Sequence, residues 1–259
     1  MKLHVVPART GLLWVRLGIK TFFRQPLALT GLFFMYMAAM FVLSALPWVG
    51  PALAAVLVPG CALGMMAAAQ EASRGRFPMP SILISAFRTS RQRLRATLLL
   101  GTIYAVGWFL VLMLATLLVP LPAADRVATP ETQGQIAGFY LAVTLLHAPL
   151  TVLFWHAPAL VHWHDISPLK SLFFSAVACF KNFGAFAVYG LAWLVIMMAG
   201  GVALGLVGHL LGGPAMVQAV LMPTLLVMAA MFSSSIYFTF RDSFVSASDT
   251  PPETPAAGP

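Results

Sequence analysis

Residues 77–95 read FPMPSILISAFRTSRQRLR, and the interpretation of the whole chain starts from this stretch. After Pro80 its apolar side chains recur at helical spacing, and arginines accumulate toward Arg95. This pattern predicts a short amphipathic helix with a cationic end, of the kind that lies in a membrane interface. Residues 96–119 follow directly, are almost entirely apolar and are long enough to cross a bilayer.

The composition extends this interpretation to the whole chain. Of its 259 residues 60% are hydrophobic and only 8% are charged, with a mean hydropathy of +0.90. A soluble domain carries about 25% charged residues. The strands of a membrane barrel would alternate apolar and polar residues, whereas residues 98–118 are apolar on every face of a helix. The sequence therefore predicts an all-α fold, a polytopic bundle of transmembrane helices.

Six transmembrane spans are predicted within one integral membrane domain, residues 1–245. The spans cover about 27–46, 52–70, 96–119, 134–161, 183–207 and 215–240. The closing residues 246–259 are small, polar and proline-rich, which predicts a disordered tail.

The spans suggest a threefold repeat of helix hairpins. Amphipathic segments at 10–24 and 167–182 resemble the one after Pro80, and each is expected to lie in the plane of the membrane. The second span of each hairpin contains a proline, and prolines are expected to kink these helices. The predicted kinks are at Pro59, Pro149, Pro158 and Pro223. Alternatively, any six-span protein with basic loops on one side can be divided into three.

The distribution of charge predicts the topology. With both termini inside, all of the 15 Lys and Arg residues except Arg126 fall on the cytoplasmic side. The reverse orientation would contradict the positive-inside rule. The sequence thus predicts a multi-pass protein of the bacterial inner membrane with cytoplasmic N- and C-termini.

Four short segments carry a family resemblance. They are Trp14-x-x-x-Gly18 with Phe22 and Gln25-Pro26-Leu27, Leu46-Pro47-x-x-Gly50, Phe154-Trp155-x-Ala157-Pro158-Ala159-Leu160, and residues 171–182. In these segments the chain resembles an uncharacterised family of bacterial six-helix inner-membrane proteins. More distantly, it resembles the membrane domain attached to some glycerophosphodiester phosphodiesterases, whose soluble catalytic domain has no counterpart in this sequence. The resemblance implies a fold and a location but assigns no catalytic residue.

The basic residues beside the spans are the candidate binding residues. The net charge of +8 could indicate nucleic acid binding, but cations in this position meet anionic lipid headgroups or simply set the topology. We therefore expect membrane lipids, in particular anionic phospholipid, as partners, and no nucleic acid. The expected headgroup contacts are Arg16, Lys20, Arg24, Arg88, Arg91, Arg93, Arg95, Lys170 and Lys181.

Catalytic chemistry is not expected. His162, His164 and Asp165 are weak candidates for metal ligands, because positions i and i+2 of a helix diverge by about 200°. Asp, Glu, Lys and Arg are not found deep inside any predicted span, so the sequence offers neither a proton relay nor an acid–base constellation. We expect a protein that is not an enzyme and binds no cofactor.

Two functional hypotheses remain. The first is a non-enzymatic protein that organises the membrane or interacts with anionic lipid. The alternative is a transporter or channel for an apolar or amphipathic small molecule, because proline-interrupted helices often line transport sites. The glycine pairs 60/64, 134/138 and 201/205 permit close helix packing, within the bundle or in a homo-oligomer.

Overall fold

The computed structural model describes residues 2–122, 129–211 and 213–245, and these ranges are almost entirely helical. The helices are α1 (Thr10–Arg24), α2 (Pro26–Ser44), α3 (Gly50–Ser73), α4 (Arg91–Leu118), α5 (Pro130–Phe154), α6 (Ala157–His164), α7 (Pro168–Lys181), α8 (Phe183–Leu211) and α9 (Gly213–Ser243). A 3-10 helix covers Pro80–Ile84, and the two-residue strands β1 (Lys2–Leu3) and β2 (Phe244–Val245) pair antiparallel. The prediction of an all-α helical bundle is confirmed.

Six apolar helical segments are long enough to cross a membrane. They are Pro26–Ser44, Gly50–Ser73, Arg91–Leu118, Pro130–His164, Phe183–Leu210 and Val217–Ser243. This confirms the six predicted spans, and most of the predicted bounds differ from the observed ones by only a few residues. Arg126 and the predicted tail 246–259 lie outside the described residues.

The chain forms two compact units. The described residues of 2–38, 63–85 and 177–245 form the first unit, and those of 39–62 and 86–176 form the second. Helices α2 and α3 each contribute to both units. That residues 1–245 act as a single membrane domain stays a prediction.

In the first unit, α1 packs closely against α8 and α9. A Cβ atom at Gly11 would lie 2.2 Å from the carbonyl oxygen of Ala185, and one at Gly18 would lie 2.3 Å from the Cβ of Ser235. Trp14, between the two glycines, is fully buried. Only glycine permits this approach, so the face of α1 that carries these residues is fixed against the bundle.

The two ends of the described chain meet in the first unit. Strands β1 and β2 pair there, and the side-chain oxygen of Asn182 accepts a hydrogen bond from the backbone N–H of Val6 at 2.8 Å. The indole N–H of Trp14 donates to Asp242 at 2.9 Å. Both ends of the described chain therefore lie together, as an even number of spans predicts.

The second unit is built around α4, α5 and α6, which pack through Leu100, Phe154 and Val161. The helix breaks between α5 and α6, where the Ser175 hydroxyl enters the helical hydrogen-bond ladder. It accepts from the His156 N–H at 3.0 Å and donates to the Val152 carbonyl at 2.9 Å. A side chain inserted in this way separates two helical segments without leaving their backbone groups unsatisfied.

The prediction of one amphipathic helix from Pro80 to Arg95 is wrong. The 3-10 helix ends at Ile84, and α4 begins only at Arg91. Phe87 lies between them, with its ring 2.4 Å from the position that a Cβ of Gly60 would occupy. This contact fixes the segment in a non-helical conformation, and Ser90 then caps the new helix by accepting a hydrogen bond from the Arg93 N–H.

This correction changes the repeat. Helices α1 and α7 are separate amphipathic helices before the first and fifth spans, whereas Arg91, Arg93 and Arg95 lie in the first turns of α4 itself. The three proposed repeats therefore share paired spans, but the second has no interfacial helix of comparable length.

Candidate lipid interface

The first basic surface is the face of α1 opposite Trp14 and Gly18. At about 100° per residue, Arg16 and Lys20 fall on this face, and both side chains are exposed. Phe23 is also exposed, with 66% of its surface accessible. Helix α1 thus has one face held in the bundle and one face that combines cations with apolar side chains.

Arg24 follows on the same face but has a structural contact. Its guanidinium donates to the backbone carbonyl of Ser73, the last residue of α3. The final carbonyls of a helix have no intrahelical donor, so Arg24 caps α3. Nearby, Arg76 forms an ion pair with Glu71, which raises the pKa of Arg76.

The second basic surface surrounds the start of α4. Arg88, Arg91 and Arg95 are exposed, but the guanidinium of Arg93 forms a two-pronged ion pair with Asp165. The hydrogen bond from Arg93 lowers the pKa of Asp165. Among the described residues no ion pair neutralises Arg88, Arg91 or Arg95, whereas Asp165 pairs with Arg93.

The third surface is the outer face of α7. Ser171, Ser175 and Ala178 are fully buried on its inner face. Lys170 and Lys181, eleven positions apart, are exposed on one flank of the helix, roughly 90° from that inner face. Burial raises the pKa of the Cys179 thiol to about 12, so this thiol stays protonated and has little reactivity.

The weak metal candidates are not assembled into a site. Asp165 is engaged by Arg93, and it occupies a left-handed conformation after α6 with φ of 53°. Within the described residues, no three His, Cys, Asp or Glu side chains converge in a way that could hold a metal ion. His162 and His164 lie in the last turn of α6.

The predicted kink residues lie at helical positions. Pro59, Pro149 and Pro223 are inside α3, α5 and α9. Pro158 is in the first turn of α6, directly after the break that Ser175 bridges. The bending of these helices in the membrane stays a prediction.

One polar network lies near the middle of a span. The Nε2 atom of His147 lies 3.3 Å from the Tyr104 hydroxyl, and its Nδ1 atom lies 3.2 Å from the Thr151 hydroxyl. Thr151 also donates to the His147 carbonyl at 3.1 Å. The tautomer protonated at Nδ1 fits this arrangement, because Thr151 then accepts from Nδ1–H while the Tyr104 hydroxyl donates to Nε2. The network links α4 to α5.

Sequence reasoning missed several residues that organise these surfaces. Ser175 has no distinguishing local pattern, because its importance comes from its hydrogen bonds at the junction of two other helices. Trp14-x-x-x-Gly18 is one of the motifs that carry the family resemblance, and the structure places both residues against the bundle. The signal that could have identified Gly11 is its seven-residue spacing from Gly18, which places both on one helix face.

A probable inner membrane protein of Burkholderia thailandensis is 38% identical to this chain over 254 residues, which cover 94% of each protein. The chain belongs to the same family. No protein-family model and no solved structure matches it. The comparisons do not support the distant resemblance to the membrane domain of glycerophosphodiester phosphodiesterases.

Family membership and the six apolar helices together identify this chain as a multi-pass inner membrane protein. The predicted location is thus confirmed at this level.

Proposed function

We propose that this inner membrane protein binds anionic phospholipid and organises the surrounding membrane without catalysing a reaction. The binding side is the one that carries both termini, and we assign it to the cytoplasm because all of the 15 Lys and Arg residues except Arg126 fall there. The proposed contacts are the exposed cations of the three basic surfaces, Arg16, Lys20, Arg88, Arg91, Arg95, Lys170 and Lys181.

The observation that carries this proposal is the division of α1 into two faces. Gly18 and Trp14 hold one face against α8 and α9, so the exposed face with Arg16 and Lys20 has a fixed orientation. Each basic residue near an anionic membrane surface contributes about 1 kcal/mol. Two fixed cations beside exposed apolar side chains favour an anionic headgroup over a neutral one.

Native mass spectrometry from mild detergent tests the proposal. The wild-type protein should retain phosphatidylglycerol or cardiolipin in preference to phosphatidylcholine. The double variant Arg16→Gln/Lys20→Gln should lose much of this preference, because it removes two exposed cations that no ion pair within residues 2–122, 129–211 and 213–245 neutralises.

The matched control is Arg24→Gln/Arg93→Gln. It removes the same number of charges, but from side chains that the Ser73 carbonyl and Asp165 already hold. This control should retain anionic lipid. Equal loss in both double variants would mean that only net charge matters, and no loss in either would contradict lipid recognition by α1.

A second candidate function is the passage or binding of an amphipathic small molecule. An open cleft of about 430 Å³ lies in the first unit, lined by Gly205, His209, Gly213, Val217, Gln218 and Leu221. It combines two polar side chains with apolar walls, as small-molecule sites commonly do. Uptake into vesicles that is abolished by Gln218→Leu, with lipid retention unchanged, would favour this candidate over the first.

A further inference from the structure

Helix α7 exposes a continuous apolar stripe. Leu169, Phe173 and Phe180 have 70%, 63% and 71% of their surface accessible. Their spacing of four and seven residues places them within about 40° of one another on the helix. The inner face of the helix is buried, so this stripe cannot turn inward and needs an apolar environment outside the protein.

The connections of α7 hold it close to the membrane. It begins four positions after His164, which ends the fourth span, and ends two positions before Phe183, which begins the fifth. Its 14 residues extend roughly 21 Å, at 1.5 Å per residue. Because spans begin or end at both of its ends, α7 extends along the membrane boundary and not away from it.

The charges beside the stripe match the phosphate level of a lipid leaflet. Lys170 and Lys181 lie on the exposed face, toward one flank of the phenylalanines. Long lysine side chains can extend to phosphates while neighbouring apolar groups enter the acyl region. Among the described residues, no ion pair neutralises either lysine.

We propose that α7 inserts Leu169, Phe173 and Phe180 into the acyl boundary of the adjoining leaflet, with Lys170 and Lys181 on phosphates of the same anionic glycerophospholipids. This inference rests on the proposed lipid-binding function, and it adds an aromatic wedge that occupies area in one leaflet only. The occupant of the stripe is lipid, and the charge of the lysines makes anionic lipid the favoured kind.

The test measures the depth of single labelled positions. In a Cys61→Ala/Cys179→Ala background, Phe180→Cys is labelled with the fluorophore NBD and reconstituted in phosphatidylglycerol–phosphatidylethanolamine vesicles. NBD at position 180 should emit at the short wavelengths of an apolar environment. A nitroxide on the lipid acyl chain should quench it, whereas aqueous iodide should not. NBD in the matched variant Lys181→Cys should show the reverse sensitivity, because that position is at the headgroup level.

Three outcomes would overturn the inference. Strong iodide quenching at position 180 would place the stripe in water. Resistance to both quenchers would mean that protein covers the stripe. Nitroxide quenching that appears only when the protein is diluted in lipid would identify a second copy of the chain as the occupant. Labelling at position 180 should not disturb the fold, because this position is exposed, and size-exclusion profiles of the labelled variants check this.

The two proposals can fail separately. If position 180 is in the acyl region but the wild-type protein shows no preference for anionic lipid, insertion stands and the proposed function fails. If anionic lipid is retained through α1 while position 180 is in water, the proposed function stands and insertion fails.

Discussion

Replacement of Ser175 by alanine should loosen the junction of α5 and α6. The serine hydroxyl is fully buried and makes two hydrogen bonds, one from the His156 N–H and one to the Val152 carbonyl. A typical intramolecular hydrogen bond contributes about 0.5–1.5 kcal/mol net. Loss of both bonds at this fully buried position should cost about 1–3 kcal/mol.

The assay is thermal unfolding of the detergent-solubilised protein. A loss of about 2 kcal/mol should lower the apparent Tm by roughly 4–8 °C, by the scaling for domains of 150–250 residues. Ser171→Ala is the matched control, because Ser171 is equally buried but its hydroxyl donates only to Pro168 in the first turn of its own helix. This variant should lose about half as much.

An unchanged Tm in Ser175→Ala would refute the reasoning. It would mean that the His156 N–H bonds directly to the Val152 carbonyl once the hydroxyl is gone, so that the helix closes at no cost. A fall equal to that of Ser171→Ala would likewise show that the inserted hydroxyl has no special role.

Three further changes test other contacts. Gly18→Ala should destabilise the protein by about 1–3 kcal/mol, because the added methyl group overlaps α9. Asn182→Ala should speed amide exchange at Val6, whose buried N–H loses its acceptor, and should lower the apparent Tm. Asp165→Asn should increase retention of anionic lipid in native mass spectra by releasing Arg93. Acidification should have the same effect. Because Arg93 lowers the pKa of Asp165, the ion pair is fully present above the ordinary pKa of a carboxyl group. The ion pair is lost as the pH falls through the lowered pKa of Asp165, and Arg93 is then released.

Each of these changes has a matched control. Gly134→Ala adds the same methyl group where nothing lies within 4 Å, so it should be neutral or stabilising, and equal destabilisation would contradict the close packing of α1. Lys181→Ala, next to Asn182 but exposed, should leave exchange at Val6 unchanged. Glu131→Gln changes the net charge as Asp165→Asn does, but at the start of α5, and should leave lipid retention unchanged.

The basic surfaces were only partly predictable. Arg16 and Lys20 follow from the periodicity of α1, and the structure leaves them exposed as the sequence suggested. Arg24 and Arg93 have the same local pattern, yet one caps α3 and the other pairs with Asp165. Periodicity identifies the face on which a cation lies, but not the distant group that binds it.

The sequence by itself determined the six spans and the all-α class, because long runs without charge can satisfy their backbone in a bilayer only as helices. It also determined that the basic residues other than Arg126 belong to connections on the same side of the six spans. Tertiary structure alone decided that the stretch after Pro80 breaks, because the Phe87 ring packs on Gly60, more than twenty residues earlier. It likewise decided the junction at Ser175 and the packing of Gly18. These features depend on contacts between helices that are far apart in sequence, which no local periodicity records.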